Sequence, residues 1–191
     1  TPDPEGGHIV RDLSSADQRR PNGILEETAT HHAREKTLDL SASDVWQMTK
    51  LASAEYLEYG VTTASAGGMP KALASLLGPM SEYNQIPLRV ALFPWFNEVG
   101  TELVSGEVTL SEFSGGRVVV PRVKIIADGS IQGFTGYLSQ PYHRPYKGDA
   151  DYRGYPSVLR EALFEQVEGL YRQRVQVAIH GNGDASIEDA L

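Results

Sequence analysis

Two residues whose side chains can bind metal ions lie on apolar segments with the pattern of β-strands. Lys124 lies within residues 118–127, and His180 ends residues 175–180. A glycine-containing turn follows each segment, which is typical of a buried strand ending at a tight turn. A buried lysine is costly unless something neutralises it, and imidazole is a common metal ligand. Lys124 and His180 are therefore candidate functional residues whose types are compatible with metal binding.

Each of these residues also has a purely structural interpretation. Lys124 fits a solvated sheet edge with its stem along apolar surface. His180 fits a core histidine bonded to a backbone carbonyl. Asp184 follows a glycine-rich turn and is predicted to be a helix N-cap. Gly129 and Gly183 predict tight turns.

Alternation of side chains along a strand places Asp128 on the same face as Lys124. Residues at i, i+2 and i+4 of a strand share a face, so Lys124, Ile126 and Asp128 are expected to face the same way. Parallel-strand barrels build their chemistry at the C-terminal ends of strands. Asp128, at that end, is the candidate catalytic residue, and a turn cap is its alternative role.

A long loop over residues 129–156 follows this strand and carries five tyrosines together with Gly and Pro. Loops of this length inside a compact domain are usually functional or mobile. Within it, Tyr137 and His143 are the candidate substrate-binding residues. The adjacent His31 and His32 are predicted to lie at the surface, and Trp46 and Trp95 to serve in packing.

Composition limits the class of protein. The chain has 191 residues, a net charge of -8 and no cysteine. The acidic balance argues against nucleic acid and membrane as partners, and thiolate metal sites are excluded. The cytoplasm is the favoured location. The first residue is not methionine, so we expect a longer parent protein.

The order of predicted elements indicates an α/β fold. Residues 8–12 and 23–26 are expected to pair as a hairpin. Residues 31–40 are polar and ambiguous, and residues 97–117 are less regular. The expected helices cover residues 43–60, with Ser43 as N-cap, then 70–83 and 157–174. The expected strands cover residues 61–65, 88–93, 118–127 and 175–180. This alternation predicts a parallel sheet, either open or about half of an eight-stranded barrel.

Several of these segments resemble amidohydrolase family 3, the YtcJ-like amidohydrolases. The resemblance is carried by residues 3–12, 20–27, 59–63, 124–133 and 179–185. It implies a partial TIM (β/α)8 barrel holding strands two to five, with an N-terminal β-hairpin segment. Residues 1–40 would then form the hairpin segment, and residues 41–191 part of a larger catalytic domain.

The same resemblance implies a metal-dependent hydrolase of carbon–nitrogen bonds other than peptide bonds. Lys124 would match the strand-four lysine, which carries a carbamate in many relatives, and His180 the strand-five ligand. One or two divalent ions, with zinc favoured, would activate water against a small-molecule amide.

The family's His-x-His pair, strand-six histidine and strand-eight aspartate are absent from this chain. The chain by itself is therefore expected to bind metal weakly or not at all, to lack turnover and to form a homo-oligomer. The alternative function is a non-catalytic α/β binding or scaffold module.

Overall fold

Helices and strands alternate along most of the chain. The structure is a computed structural model that describes residues 2–12, 20–37, 39–83 and 85–191, without the side chains of residues 32 and 35. The strands are β1 (Gly7–Arg11), β2 (Pro21–Glu27), β3 (Thr63–Met69), β4 (Arg89–Pro94), β5 (Val118–Val119), β6 (Arg122–Ile126) and β7 (Gln176–His180). The helices are α1 (Ala29–Thr37), α2 (Ala42–Glu58), α3 (Lys71–Glu82), α4 (Phe96–Ser105), α5 (Arg160–Arg172) and α6 (Asp184–Ala190), with a 3-10 helix at Leu110–Phe113. Over this described part, no helix combines the length and the apolar character needed to cross a membrane.

The chain divides into two compact units. The first contains Thr1–Asp39, Ile126–Phe164 and His180–Leu191, and the second contains Leu40–Ile125 and Glu165–Ile179. In the first unit, β1 and β2 pair antiparallel, with Ile9 opposite Leu25. This confirms the predicted hairpin, although its connection, residues 13–19, lies outside the described residues. The proposed domain division at residue 40 stays a prediction.

The second unit contains a parallel sheet in the order β3-β4-β5. Helix α3 connects the first pair of strands and α4 the second, as expected for βαβ crossovers. The apolar residues that the strands and helices bury here form its core: Val45, Ala74, Leu77, Ile86, Leu88, Leu92, Val99, Leu103, Phe113, Val118, Val120, Val123, Ile125 and Leu170. The predicted α/β alternation is therefore confirmed.

Strand β6 shows the predicted alternation of faces. Val123 and Ile125 are buried, whereas Lys124 and Ile126 are half-buried. Pro121 separates β5 from β6, because proline has no N–H for a ladder. Strand β6 pairs with β7 in a second sheet. The strands that the structure describes form no closed barrel, and the numbering of strands as two to five stays a prediction.

Two predicted features of the helices were wrong. Helix α2 is capped by Ser41 rather than Ser43, because Ser41 and Asp44 form a reciprocal capping box. Helix α4 lies in a stretch predicted to be irregular. Its pattern is obscured by Gly100, which packs against the ring of Phe96 and lowers helix propensity.

Helix α2 leaves several of its apolar side chains exposed. Val45 is buried, but Met48 and Tyr56, which lie at helical spacing from it, are 55% and 47% exposed. Leu51, on the same helix, is 71% exposed. Since single apolar residues at a surface are common but clusters are not, this helix face is available for association.

Candidate metal centre and its loop

Lys124 lies in the middle of β6, in the second unit. Its backbone forms a parallel bridge with Trp95, directly after β4, and the Trp95 ring packs on Gly68 near the end of β3. The amine is half-buried, and within the described part of the chain it makes no hydrogen bond or ion pair. Burial lowers the pKa of Lys124, because desolvation disfavours the charged form. A half-buried stem is compatible with the solvated-edge interpretation as well as with a functional amine, so the role of Lys124 stays a prediction.

His180 lies at the C-terminal end of β7, in the first unit. Its backbone carbonyl accepts a hydrogen bond from the Ala127 N–H at 3.0 Å, which fixes the strand end beside the residue after β6. Its Nε2 lies 3.1 Å from Asn182 Nδ2 and 3.4 Å from the Gly129 carbonyl oxygen. The ring is half-buried, and its contacts are with residues of the neighbouring turns. These surroundings are compatible with a metal ligand and with a structural histidine.

The metal assignment of Lys124 and His180 stays a prediction. The two residues belong to different compact units, and each is described within its own. Across residues 2–12, 20–37, 39–83 and 85–191, no group of three or more His, Cys, Asp or Glu side chains could hold a metal ion. An amine and an imidazole are suitable donors by type, yet a catalytic zinc site usually takes three protein ligands. Lys124 and His180 therefore have suitable donor atoms for a divalent metal, but two ligands are fewer than such a site usually requires.

Asp128 is fully buried, and backbone groups occupy its carboxylate. Oδ1 accepts the Asn182 N–H at 2.9 Å, and Oδ2 accepts the N–H groups of Tyr137 and Gly183, each at 2.8 Å. One carboxylate thus joins the end of β6, the long loop and the turn after His180. Three such bonds satisfy most of its acceptor capacity. The geometry gives Asp128 a structural role, and its catalytic role stays untested.

The long loop begins with a tight turn fixed to strand β2. The Thr135 hydroxyl donates to the Glu27 carboxylate, and the Ser130 N–H donates to Thr135 Oγ1 at 2.9 Å. Gly129 lies so close to these groups that a Cβ would overlap both Thr135 and Glu27. Glycine is therefore favoured at position 129 by the close approach of these two side chains.

Four aromatic rings of the loop pack together in a tyrosine cluster, defined here as Phe134, Tyr142, Tyr146 and Tyr152. Phe134 and Tyr146 stack with centroids 4.9 Å apart, and the Tyr146 hydroxyl donates to Glu26 at 2.8 Å. Burial, and then the charge of Glu26, raises the pKa of Tyr152 to about 12. The Tyr152 phenol therefore stays neutral, and the cluster packs the loop against β2, to which the Tyr146 hydroxyl is hydrogen-bonded.

The two predicted substrate-binding residues differ in their surroundings. Tyr137 is half-buried; its backbone N–H donates to Asp128 Oδ2 at 2.8 Å, and its carbonyl accepts the Ser186 N–H of α6 at 3.4 Å. His143 is exposed, in the tip of the loop. Both positions are on the loop that follows β6, and their contact with substrate stays a prediction.

Asp184 is not the N-cap that its sequence position predicts. Gly183 occupies the cap, and Asp184 is the first residue of α6. Its carboxylate accepts the hydroxyl and the N–H of Ser139, which lowers the pKa of Asp184. The residue therefore ties the loop to the helix, a long-range contact that no local pattern indicates.

The sequence analysis gave no role to the side chain of Asn182, whose Nδ2 donates to the Gly129 carbonyl at 2.9 Å. A polar amide two residues after the candidate ligand His180 was the available signal. His31, predicted at the surface, is half-buried, and the side chain of His32 lies outside the described residues.

Known proteins match this chain over its whole length. The family model described as "Amidohydrolase family" matches residues 1–191. The "Putative amidohydrolase YtcJ" of Bacillus subtilis (strain 168) is 27% identical over 204 residues, a match that covers 100% of this chain and 35% of that relative.

Two solved structures share the fold. An uncharacterized metal-dependent hydrolase from Pyrococcus horikoshii OT3 superimposes with a TM-score of 0.70 at 24% identity, covering 100% of this chain and 36% of its own. An uncharacterized metal-dependent hydrolase from Pyrococcus furiosus gives 0.68 at 21% identity, covering 89% of this chain and 35% of its own. The chain thus spans about a third of the length of these proteins, and with a family model matching all 191 residues, it belongs to the amidohydrolase family.

Proposed function

We propose that this chain forms part of a metal-dependent amidohydrolase that hydrolyses carbon–nitrogen bonds other than peptide bonds in a small-molecule amide. The observation that supports the metal role most directly is the Lys124 amine. It is half-buried, its pKa is lowered by burial, and it has no described hydrogen-bonding or charged partner. Such an amine is costly to bury unless a ligand or a modification completes its surroundings.

In this proposal Lys124 and His180 hold a divalent metal, with zinc favoured, and further ligands come from outside the 191 residues. A bound metal would supply Lewis-acid activation of water and of the scissile carbonyl. The lowered pKa of Lys124 makes its neutral amine, the form able to take up CO2 as a carbamate, easier to reach. His180 contributes a neutral imidazole whose backbone is fixed by Ala127.

The remaining site residues have positioning and binding roles in this proposal. Asp128 holds the His180 turn and the start of the loop in register through its three backbone hydrogen bonds. Tyr137 and His143, on the loop after β6, would line the substrate pocket. The tyrosine cluster keeps that loop in place by packing against β2.

The test is metal content and amide hydrolysis of the longer protein that contains this chain. Elemental analysis and a panel of N-acyl and cyclic amides would be applied to the parent and to Lys124→Ala and His180→Ala. We expect each variant to lose metal and to fall in rate by at least about 100-fold, the scale on which metal-site changes act.

A matched control is Lys50→Ala, which removes an exposed lysine on α2 and should change neither readout. If Lys124→Ala and His180→Ala retain full metal content and rate, the metal assignment is wrong. A parent protein without metal and without activity on any amide would favour a non-catalytic binding module.

A further inference from the structure

Asn22 and Gly23 lie next to each other in an irregular stretch of strand β2, in the first unit. The register of the β1–β2 hairpin shifts between Ile9 and Arg11, so residues 22–24 of β2 lie opposite a single residue of β1. A bulge of this kind takes the extra residues out of the regular ladder. Asn22 and Gly23 are both exposed. The side chain of the first and the backbone of the second are therefore accessible to water.

An asparagine followed by a glycine can lose ammonia without an enzyme. The peptide nitrogen of the glycine attacks Cγ of the asparagine and closes a succinimide ring, while the side-chain nitrogen leaves as ammonia with the proton from the peptide N–H. Water then opens the ring. Opening at Cγ gives aspartate, and opening at the backbone carbonyl carbon gives isoaspartate, whose main chain runs through the former side chain. Glycine favours the first step because it has no Cβ to shield its nitrogen.

The surroundings of Asn22 favour this ring closure. Gly23 has a φ of +96°, which glycine adopts without strain. Within the described part of the chain, no atom beyond its chain neighbours lies within 4 Å of the position that a Cβ would take there. The Ile24 N–H donates to Asn22 Oδ1 at 3.0 Å. This bond stabilises the negative charge that develops on Oδ1 when the nitrogen attacks Cγ.

The other asparagine–glycine pair of the chain, Asn182 and Gly183, is held differently. Asn182 is also exposed, so exposure of the amide does not distinguish the two pairs. Gly183, however, is buried, and its N–H donates to Asp128 Oδ2 at 2.8 Å. The Asn182 Nδ2 donates to the Gly129 carbonyl at 2.9 Å. Ring closure there requires the peptide nitrogen to leave a charged acceptor and the amide to leave its own, which raises the barrier.

We propose that Asn22 is a site of spontaneous deamidation in the folded protein and that Asn182 is protected from the same reaction. The product carries an added carboxylate at position 22, and isoaspartate also adds a methylene to the main chain of β2. This change lies on the strand whose Glu26 and Glu27 bind the long loop. Neither reaction involves the metal or the substrate of the proposed function.

The test is ageing of the folded 191-residue chain in mildly alkaline buffer, followed by peptide mass spectrometry. Trypsin places the two pairs in separate peptides, residues 20–34 and 175–191. The mass gain from exchange of NH2 for OH measures deamidation, and electron-transfer fragmentation distinguishes isoaspartate from aspartate. We expect Asn22 to convert at least about tenfold faster than Asn182, the factor that loss of one hydrogen bond to a charged group imposes on a rate.

Two controls separate the fold from the local sequence. In urea the two rates should come together, because unfolding releases Gly183 from Asp128. Asn22→Gln keeps an amide but lengthens the side chain, so ring closure slows and the peptide of residues 20–34 should stay unmodified. The exposed Asn97, which precedes a glutamate, is an internal reference and should convert more slowly than Asn22.

Two results would overturn the proposal. One is an Asn22 that stays intact in the folded chain while it converts in urea, because the bulge would then protect the pair. The other is an Asn182 that converts as fast as Asn22 in the folded chain, because the hydrogen bond from Gly183 to Asp128 would then give no protection.

Discussion

At the scale of single residues, the most informative side chain is Asp128. Its position at the end of an apolar strand is compatible with two roles for the carboxylate, a catalytic group or a cap of the turn. The structure shows that this carboxylate accepts three backbone N–H groups from two separate segments. A buried charge satisfied in this way stabilises local structure, because each donor would otherwise be buried without a partner.

Replacing Asp128 by Ala should lower the free energy of unfolding by about 3 kcal/mol or more, since three buried N–H groups lose a charged acceptor. Urea unfolding of the chain, followed by circular dichroism, measures this change. The exposed Asp151→Ala is the matched control and should stay within about 0.5 kcal/mol of the parent. A loss from Asp128→Ala as small as that of the control would contradict the structural role.

A second prediction at this scale concerns acid stability of the hairpin. The hydrogen bond from His8, and then that from Arg11, lowers the pKa of Asp3 from 3.8 to about 2. A carboxyl whose folded pKa is depressed contributes stability above its unfolded pKa of about 3.9, and this contribution disappears as pH falls towards 2.

Melting temperatures measured from pH 6 to pH 2 should therefore fall more steeply for the parent than for Asp3→Asn below about pH 4. Asp39→Asn, which removes an exposed carboxylate, serves as the control and should follow the parent. Equal slopes for the parent and Asp3→Asn would show that the His8 and Arg11 contacts contribute nothing in solution.

At the scale of elements, the turn between β7 and α6 decides how the candidate site is built. Gly183 caps α6 without a side-chain hydrogen bond, and its N–H donates to Asp128. Its α-carbon lies against the backbone of Tyr137, so a Cβ there would overlap the Tyr137 carbonyl oxygen. The close approach of loop and turn, rather than an unusual φ, is what requires glycine.

Gly183→Ala should destabilise the chain by about 1–3 kcal/mol, the usual cost of overpacking, because backbone atoms on both sides must separate. Gly67→Ala in β3 is the matched control, since no atom lies within 4 Å of the Cβ position there. Thermal unfolding of both variants gives the comparison. If Gly183→Ala is as stable as Gly67→Ala, the backbone of Tyr137 does not pack against Gly183 as described.

At the scale of the whole molecule, the chain is about a third of the length of the proteins it matches. Apolar side chains of α2 are exposed, with Leu51 at 71% and Met48 at 55%. Exposed apolar clusters of this kind are covered by another surface in most stable proteins. Homo-oligomer formation therefore stays the prediction for this chain.

Analytical ultracentrifugation of the 191-residue chain should show a concentration-dependent species larger than a monomer. The double substitution Met48→Ser and Leu51→Ser should weaken this association by at least about tenfold, because two apolar side chains leave the contact. Leu191→Ser, at an exposed apolar position outside α2, should not. A chain that stays monomeric at every concentration would contradict the prediction.

Local patterns were sufficient for much of the fold. Alternating burial along β6, the Pro121 break and the helix–strand order of the second unit follow from short-range preferences of the backbone, which the sequence displays directly. The family could also be predicted from the sequence, because the segments around Lys124 and His180 resemble those of the amidohydrolase family. By contrast, helix α4 was hidden by the internal Gly100.

The sequence by itself determined the family and the α/β alternation, and it supplied Lys124 and His180 as candidate metal ligands, because these depend on residue types and on spacing within a segment. Only the tertiary structure decided that the Asp128 carboxylate accepts the Asn182 N–H, that Asp184 bonds Ser139 instead of capping a helix, and that the Asn182 side chain donates to the Gly129 carbonyl. Each of these contacts joins residues about 45 to 55 positions apart, and hydrogen bonds at such separations produce no periodic pattern in a sequence.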